Sequence, residues 1–352
     1  MNTRLIYDIA PTAAFGRSSE GSFIRFGDEI LFAYSRYNSA DWNDHASCDI
    51  ALIRSRDEGE SWSEPVLIAR AADYGTKNIM SVSAVKLAEG IAFFYLIKEN
   101  DGSTTIGRAV STDGVQFTPE RCTLHAPRAY YVINNDRFER LSDGRIAAPA
   151  AYIPVEYNDV PGCIDYASCV FASDDDGKTF RLTPARLAVD RKTCPNGLME
   201  PGILELAPGM IWLWARTQAH CQYEAFSPDN LRSFTPAIPS QFTSPNSPME
   251  LYRLADGTLL TVYNPIPSYN GRVQSKVGWG RTPLVIRKST DNGATWGPCN
   301  TIEDDPERGY CYPAMIETTD GCVIVSYCRG GSEDNACLCR LGMSKIELAS
   351  IE

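Results

Sequence analysis

At 352 residues and a formal charge of −11, with 43% hydrophobic and 22% charged side chains, the chain has the composition of an ordinary globular protein. The acidic balance argues against nucleic acid as a partner, because neutralising phosphates takes clustered Lys and Arg, and no run of about 18 apolar residues suggests a membrane span. The opening MNTRLIYDIAPTAAFG has neither a basic n-region nor a continuous apolar h-region, so a cytoplasmic protein is expected, with its 12 cysteines mostly reduced and buried. Cys163 and Cys169 would pair only in an oxidising compartment. With three histidines and a Cys337-x-Cys339 spacing too tight for a CxxC pair, no metal site emerges and no cofactor is expected. Oligomeric state is not legible.

Taken in chain order, six short polar turns each precede an apolar run: GDEILFAYS at Gly27, AEGIAFFYL at Gly90, SDGRIAAPA at Gly144, APGMIWLWA at Gly209, ADGTLLTVY at Gly257 and TDGCVIVSYC at Gly321. Another short apolar stretch precedes each turn, which is the pattern of a β-hairpin. Interleaved with the hairpins is an octet, S-x-D-x-G-x-[ST]-[WF]. It stands as SRDEGESW at Ser55–Trp62, SDDDGKTF at Ser173–Phe180 and STDNGATW at Ser289–Trp296, with worn copies at Ser111–Phe117 and Ser227–Phe234. The copies start 56, 62, 54 and 62 residues apart. A hairpin and an octet per ~60 residues, with helical periodicity nearly absent, predicts an all-β, six-bladed propeller of four-stranded antiparallel blades, one domain over 1–352. In each octet the Ser and Asp are expected to bond turn backbone, the Gly to supply an unusual φ and the aromatic to plug between strands. Calcium ligation by the same aspartates is the alternative.

Topology sorts the polar residues. The entry of a hairpin's first strand and the exit of its second lie at the end opposite the turn, and a strand rises ~3.3 Å per residue. Counting back 9 or 10 positions from each turn glycine therefore gives a ring at the mouth of the axial channel: Arg17, Met80, Asn135, Glu200, Ser247 and Tyr312. Counting forward adds Arg36 and Arg216, and the starts of third strands add Asp44 and Arg281; the octets belong to the opposite face. Asp136 and Arg137 share the polar NNDR segment with Asn135. Arginines from several blades facing one channel repel one another unless an anion is bound, and the guanidinium fork matches a planar carboxylate. The expected partner is a small molecule or glycan bearing a carboxylate.

The octets resemble Asp-boxes, the BNR repeats, and over residues 10–350 the chain resembles the sialidase superfamily of six-bladed propellers. That resemblance implies a retaining exo-glycosidase without metal or organic cofactor. Tyr312, in YCYPAM, matches the tyrosine nucleophile, with Tyr310 its closest competitor. Glu200 matches the glutamate that takes the phenolic proton, and Asp44, in DWNDHAS, matches the aspartate acid/base. Arg216 and Arg281 match two arginines of the carboxylate-binding triad. Arg17 is the candidate for the first, although RSSEGSF stands where the family has Arg-Ile-Pro; Arg36 is a possible neighbour. Asn135, Asp136, Arg137 and Ser247 are expected to contact substrate from the remaining blades. His45 beside Asp44 is a candidate for tuning that acid, and Trp42 and Trp279 for stacking on a sugar face. The altered first blade leaves two alternatives open: another acidic sugar, such as a uronate or keto-deoxy acid, or a sugar-binding propeller without turnover.

Overall fold

The computed structural model describes residues 1–100, 102–153, 166–266 and 276–352. Cys163 lies outside the described residues, and no disulfide joins any two of the 11 cysteines among the described residues.

Six antiparallel sheets follow one another around a central axis. Their innermost strands are Arg17–Phe26, Ile79–Lys86, Glu139–Arg140, Met199–Ala207, Glu250–Arg253 and Cys311–Glu317. Five sheets run outward in chain order, and the third gains an edge strand, Thr123–His125, parallel to Thr179–Leu187. The sixth closes the ring: Thr3–Ile9 adds antiparallel to Leu341–Glu347, outside Cys322–Cys328 and Cys311–Glu317. Apolar side chains fill the spaces between neighbouring sheets. One such layer joins Phe93 and Tyr95 of the second blade to Leu31 and Leu52 of the first; another joins Met315 and Val325 of the sixth to Leu260 and Ile286 of the fifth.

The six turn glycines all have positive φ, from 58° to 90°, which is why the hairpin turns recur at glycine. The octets fold as expected. In the third copy, Ser173 Oγ donates to Asp175 Oδ1 at 2.8 Å and accepts the Gly177 N–H at 2.9 Å, while the Thr179 N–H donates to Asp175 Oδ1 at 2.8 Å. Where the fourth blade's worn copy lacks glycine, Leu231 takes φ 68° and its N–H still donates to Ser227 Oγ at 2.8 Å. Octet turns also tie to neighbouring hairpin turns, as where the Ala88 N–H donates to Asp176 Oδ2 and the Thr319 N–H to Glu58 Oε2. Octets and hairpin turns thus share one face, leaving the other for the polar strand entries.

Those entries are not plain strands. Pairing between the first two strands of a blade slips at Ser19/Ser22, Met80/Ser83, Met199/Gly202 and Cys311/Ala314. At each slip one residue adopts a left-handed conformation: Glu20 (φ 54°), Ser81 (63°), Glu200 (44°) and Tyr312 (55°). Asp136 (57°) occupies the corresponding place in the third blade. Bulges re-aim side chains, and here they turn one residue per blade toward the axis.

Candidate active site

Tyr312 and Glu200 meet across the axis. Both sit at bulges on inner strands, and the Tyr312 hydroxyl donates to Glu200 Oε1 at 3.1 Å. Arg216, on the strand next to Glu200, donates from Nη1 to Glu200 Oε2 at 2.8 Å and to the Tyr312 oxygen at 3.4 Å. Its Nε donates to Asn246 Oδ1 at 2.6 Å. Burial, reinforced by the charge of Glu200, pushes the Tyr312 phenol well above its ordinary value. An unassisted phenol there would be a poor nucleophile, and the carboxylate in contact with it is the base that could take its proton.

Arg281 completes this group. Burial opposes its charge, but Cys311, Tyr312 and Cys337 raise its pKa further still. The guanidinium carbon lies 5.1 Å from the Trp279 ring centroid and 5.6 Å from that of Tyr312. Nη1 donates to Cys311 Sγ at 3.1 Å and Nη2 to the Asn246 carbonyl at 3.1 Å. Burial alone would raise the Cys311 thiol; contacts with Cys328, Cys337 and Arg281 reverse this and hold it low. Trp279 is 43% exposed, so one face of this stack is open to solvent.

A cavity of about 570 Å³ opens in front of Tyr312 and Glu200, lined also by Glu20, Asp44, His45, Ser81, Lys98, Arg128 and Tyr166. Asp44 stands at its mouth with 60% of its side chain accessible, and its Oδ1 accepts from Arg17 Nη1 at 2.5 Å. Desolvation pushes the Asp44 carboxyl up, but Arg17, Lys98 and His45 outweigh it and hold it below its ordinary value.

The model of BNR repeat-like domains matches residues 33–325. The chain belongs to this family. No curated protein matches it. Among solved structures, this BNR repeat-like propeller is similar to a protein of unknown function from Dyadobacter fermentans, at 17% identity and TM-score 0.72, covering 98% of this chain and 99% of that one. It is also similar to the Hadza microbial sialidase Hz136, at 15% identity and TM-score 0.74 over 96% of this chain. A third similarity is to the Trypanosoma rangeli sialidase solved in complex with sialic acid, at 10% identity and TM-score 0.69 over 95% of this chain. The chain spans 66% of the Hadza sialidase chain and 55% of the trypanosomal one. At these identities the likeness is one of fold.

Within the BNR repeat-like ring, the residues expected at the site separate into three groups. Tyr312, Glu200, Arg216 and Arg281 are brought together, with Asp44 at the cavity mouth. Asn135, Asp136 and Arg137 do not line the cavity and instead bond across blades. Asn135 Nδ2 donates to the carbonyls of Gly21 and Tyr312 at 2.9 and 3.3 Å. Asp136 accepts from Ser22 Oγ and, at 3.3 Å, from the Met315 N–H, and burial pushes its carboxyl up to about 6. Arg137 is paired with buried Glu250, and its Nη2 donates to the Met249 carbonyl at 2.8 Å; burial lowers its pKa to about 10.

The third group is not brought to the pocket. Ser247 is buried and donates to Asn264 Oδ1 at 2.6 Å. Arg36 faces away, with its guanidinium carbon 4.5 Å from the Phe15 ring centroid. Tyr310 is fully buried, edge-on to Tyr327 in the apolar layer between the fifth and sixth blades, and its hydroxyl has no hydrogen-bond partner among the described residues. Plain alternation would put Tyr310 and Tyr312 on the same side; the bulge at Cys311/Ala314, with Tyr312 at φ 55°, turns Tyr312 away from Tyr310. Counting from glycines passed over Glu20, Asn246, Cys311 and Lys98. Glu20 was visible as the acid in RSSEG; what hid it was the first blade's bulge, which falls 7 residues before Gly27, against 9 before Gly209 and Gly321.

Proposed function

We propose that the protein is a retaining exo-glycoside hydrolase of sialidase type, releasing a terminal acidic sugar from an oligosaccharide or conjugate. The observation that carries this reading is the Tyr312–Glu200 hydrogen bond at 3.1 Å beside Arg216 and buried Arg281. Arg216 and Arg281 would hold the sugar carboxylate, orienting the anomeric carbon over the Tyr312 oxygen. Glu200 takes the phenolic proton as that oxygen attacks, the bond to the leaving oxygen breaks, and Asp44 protonates the leaving group. In the second half Asp44 accepts a proton from water, water displaces the tyrosyl oxygen, and Glu200 returns the proton to Tyr312. A neutral nucleophile suits a reacting centre that carries a carboxylate, since an Asp or Glu there would be repelled.

Asp44 is ionised while Arg17 faces it. A substrate that fills the cavity removes water from Asp44 and adds negative charge, and both effects raise its pKa toward that of a working acid.

A second reading is favoured by one observation: Arg17, the expected third clamp arginine, is already paired with Glu20 and Asp44. That pairing favours an acidic sugar other than sialic acid. The deciding experiment is hydrolysis of a fluorogenic α-sialoside and a panel of uronides and keto-deoxy sugar glycosides by wild type, Asp44→Asn and Tyr312→Phe. Turnover that disappears in both variants supports the mechanism, and the substrate cleaved names the sugar. Binding of these glycosides without turnover of any would instead indicate a carbohydrate-binding propeller.

A further inference from the structure

Arg17 is enclosed by the protein's own acceptors. Its Nη2 is paired with Glu20, its Nη1 donates to Asp44 Oδ1 at 2.5 Å and to the Trp42 carbonyl at 3.4 Å, and its Nε donates to Ser19 Oγ at 2.8 Å. The Tyr37 ring centroid lies 4.6 Å from the guanidinium carbon. Arg17 is 1% exposed and Glu20 3%. The other Glu20 oxygen accepts from Ser81 Oγ at 2.7 Å, a bond from the next blade that fixes the carboxylate in place. Glu20 reaches this position only because the bulge gives it a left-handed backbone at φ 54°, an uncommon state for a residue with a side chain and a mark of a constrained site.

The arginines on the two sides of the cavity therefore differ in how fully the protein engages them. On one side Arg216 and Arg281 face Glu200 and Cys311 and keep donor capacity for a ligand: Arg216 Nη2 makes no protein hydrogen bond among the described residues. On the other, the Arg17 charge is met by Glu20 and Asp44, which line the cavity together with Lys98. A guanidinium edge already matched by carboxylate oxygens has no place for another anion.

We propose that Glu20 is a specificity-determining residue: its carboxylate occupies, on Arg17, the place of a substrate oxyanion, so the sugar's acid group is held by two arginines and the Glu20 side accepts a hydrogen bond from a sugar hydroxyl. This rests on the reading of the cavity as an acidic-sugar site. The substrate class narrows to sugars with one carboxylate directed at Arg216 and Arg281 and a hydroxyl directed at Glu20 and Ser81. Sugars whose carboxylate needs three arginines are disfavoured.

Calorimetric titration of wild type, Glu20→Gln and Glu20→Ser tests this with two probes, 2,3-didehydro-2-deoxy-N-acetylneuraminic acid and its methyl ester. Glu20→Gln removes the charge and keeps an acceptor; Glu20→Ser removes charge and bulk, so agreement between two folded variants guards against a distorted one. The acid should bind both variants about tenfold or more tightly than wild type, while the ester does not gain. An acid-to-ester preference unchanged by either substitution overturns the role of Glu20 and leaves the acidic-sugar reading standing. Failure of the acid to bind all three proteins overturns the assignment, while hydrolysis of a uronide or keto-deoxy glycoside would still uphold the acidic-sugar reading.

Discussion

The Tyr312 hydroxyl donates to Glu200 Oε1 at 3.1 Å although the two residues are 112 positions apart and belong to different blades. Each is held by a left-handed backbone at a bulge, at φ 55° and 44°. Tyr312→Phe should therefore remove the nucleophile without disturbing the strand, with turnover of any hydrolysed acidic glycoside falling roughly 10³-fold or more and ligand binding retained. Tyr310→Phe is the matched control. Its buried hydroxyl has no hydrogen-bond partner among the described residues, so its removal should leave activity intact and raise stability by up to about 1 kcal/mol. Equal losses in the two variants would remove Tyr312 from the mechanism; single-turnover assays and denaturant melts together read both.

Arg281 is held as a flat plate between Trp279 and Tyr312. Lysine keeps the charge but lacks both the planar fork and the stacking face. Arg281→Lys should raise the Kd for a carboxylate ligand about 10- to 100-fold while changing the Kd of the corresponding ester little. An equal loss for acid and ester would mean that the arginine shapes the pocket without reading charge.

Asp136 titrates near 6 in the fold because burial disfavours its ionised form. An unfolded aspartate titrates near 3.9, so between about pH 4 and 6 the native state binds more protons than the unfolded chain. Stability then falls as pH rises through this window, by about 3 kcal/mol at most from this group. Asp136→Asn should flatten that part of the curve, read as the difference in unfolding free energy between variant and wild type at pH 4, 5, 6 and 7. A constant difference across those four values would locate the titration elsewhere.

Gly177 and Gly144 separate backbone strain from crowding. Both have φ above 80°, but a Cβ on Gly177 would fall 2.3 Å from Phe94 Cζ, whereas one on Gly144 meets nothing within 4 Å. Gly144→Ala should cost about 1 kcal/mol and Gly177→Ala about 2 kcal/mol more, because Phe94 is locked in the layer between the second and third blades. Chemical denaturation of the two variants measures the difference directly.

The propeller was legible because its signals are local. A turn glycine and a Ser–Asp–Gly octet act within a few residues, and even Leu231 in the glycine position preserves the serine bond. Tyr312 and Glu200 were reached by the same regularity, since their blades place the bulge nine residues before the turn glycine, and Arg216 and Arg281 by counting to a strand exit and a third-strand start. Glu20 escaped because the first blade shifts that offset, and no pattern announces where pairing slips. Arg36 and Ser247 illustrate the second limit. Offsets locate a residue along a strand, but pleat and neighbouring blades decide whether its side chain meets the cavity or, as with Asn264 and Phe15, a wall.

The sheet that carries Tyr312 is completed by pairing Thr3–Ile9 with Leu341–Glu347. Of all the blades, this is the one that pairs strands from widely separated stretches of the sequence. A ribosome that has made the first five blades has already laid down Asp44, Glu200, Arg216 and Arg281, yet the nascent chain still has no closed sheet to present the tyrosine. Assembly of the cavity is thus a late event in the making of each molecule, and fragments cut within this blade carry the pocket's charges without Tyr312 in place.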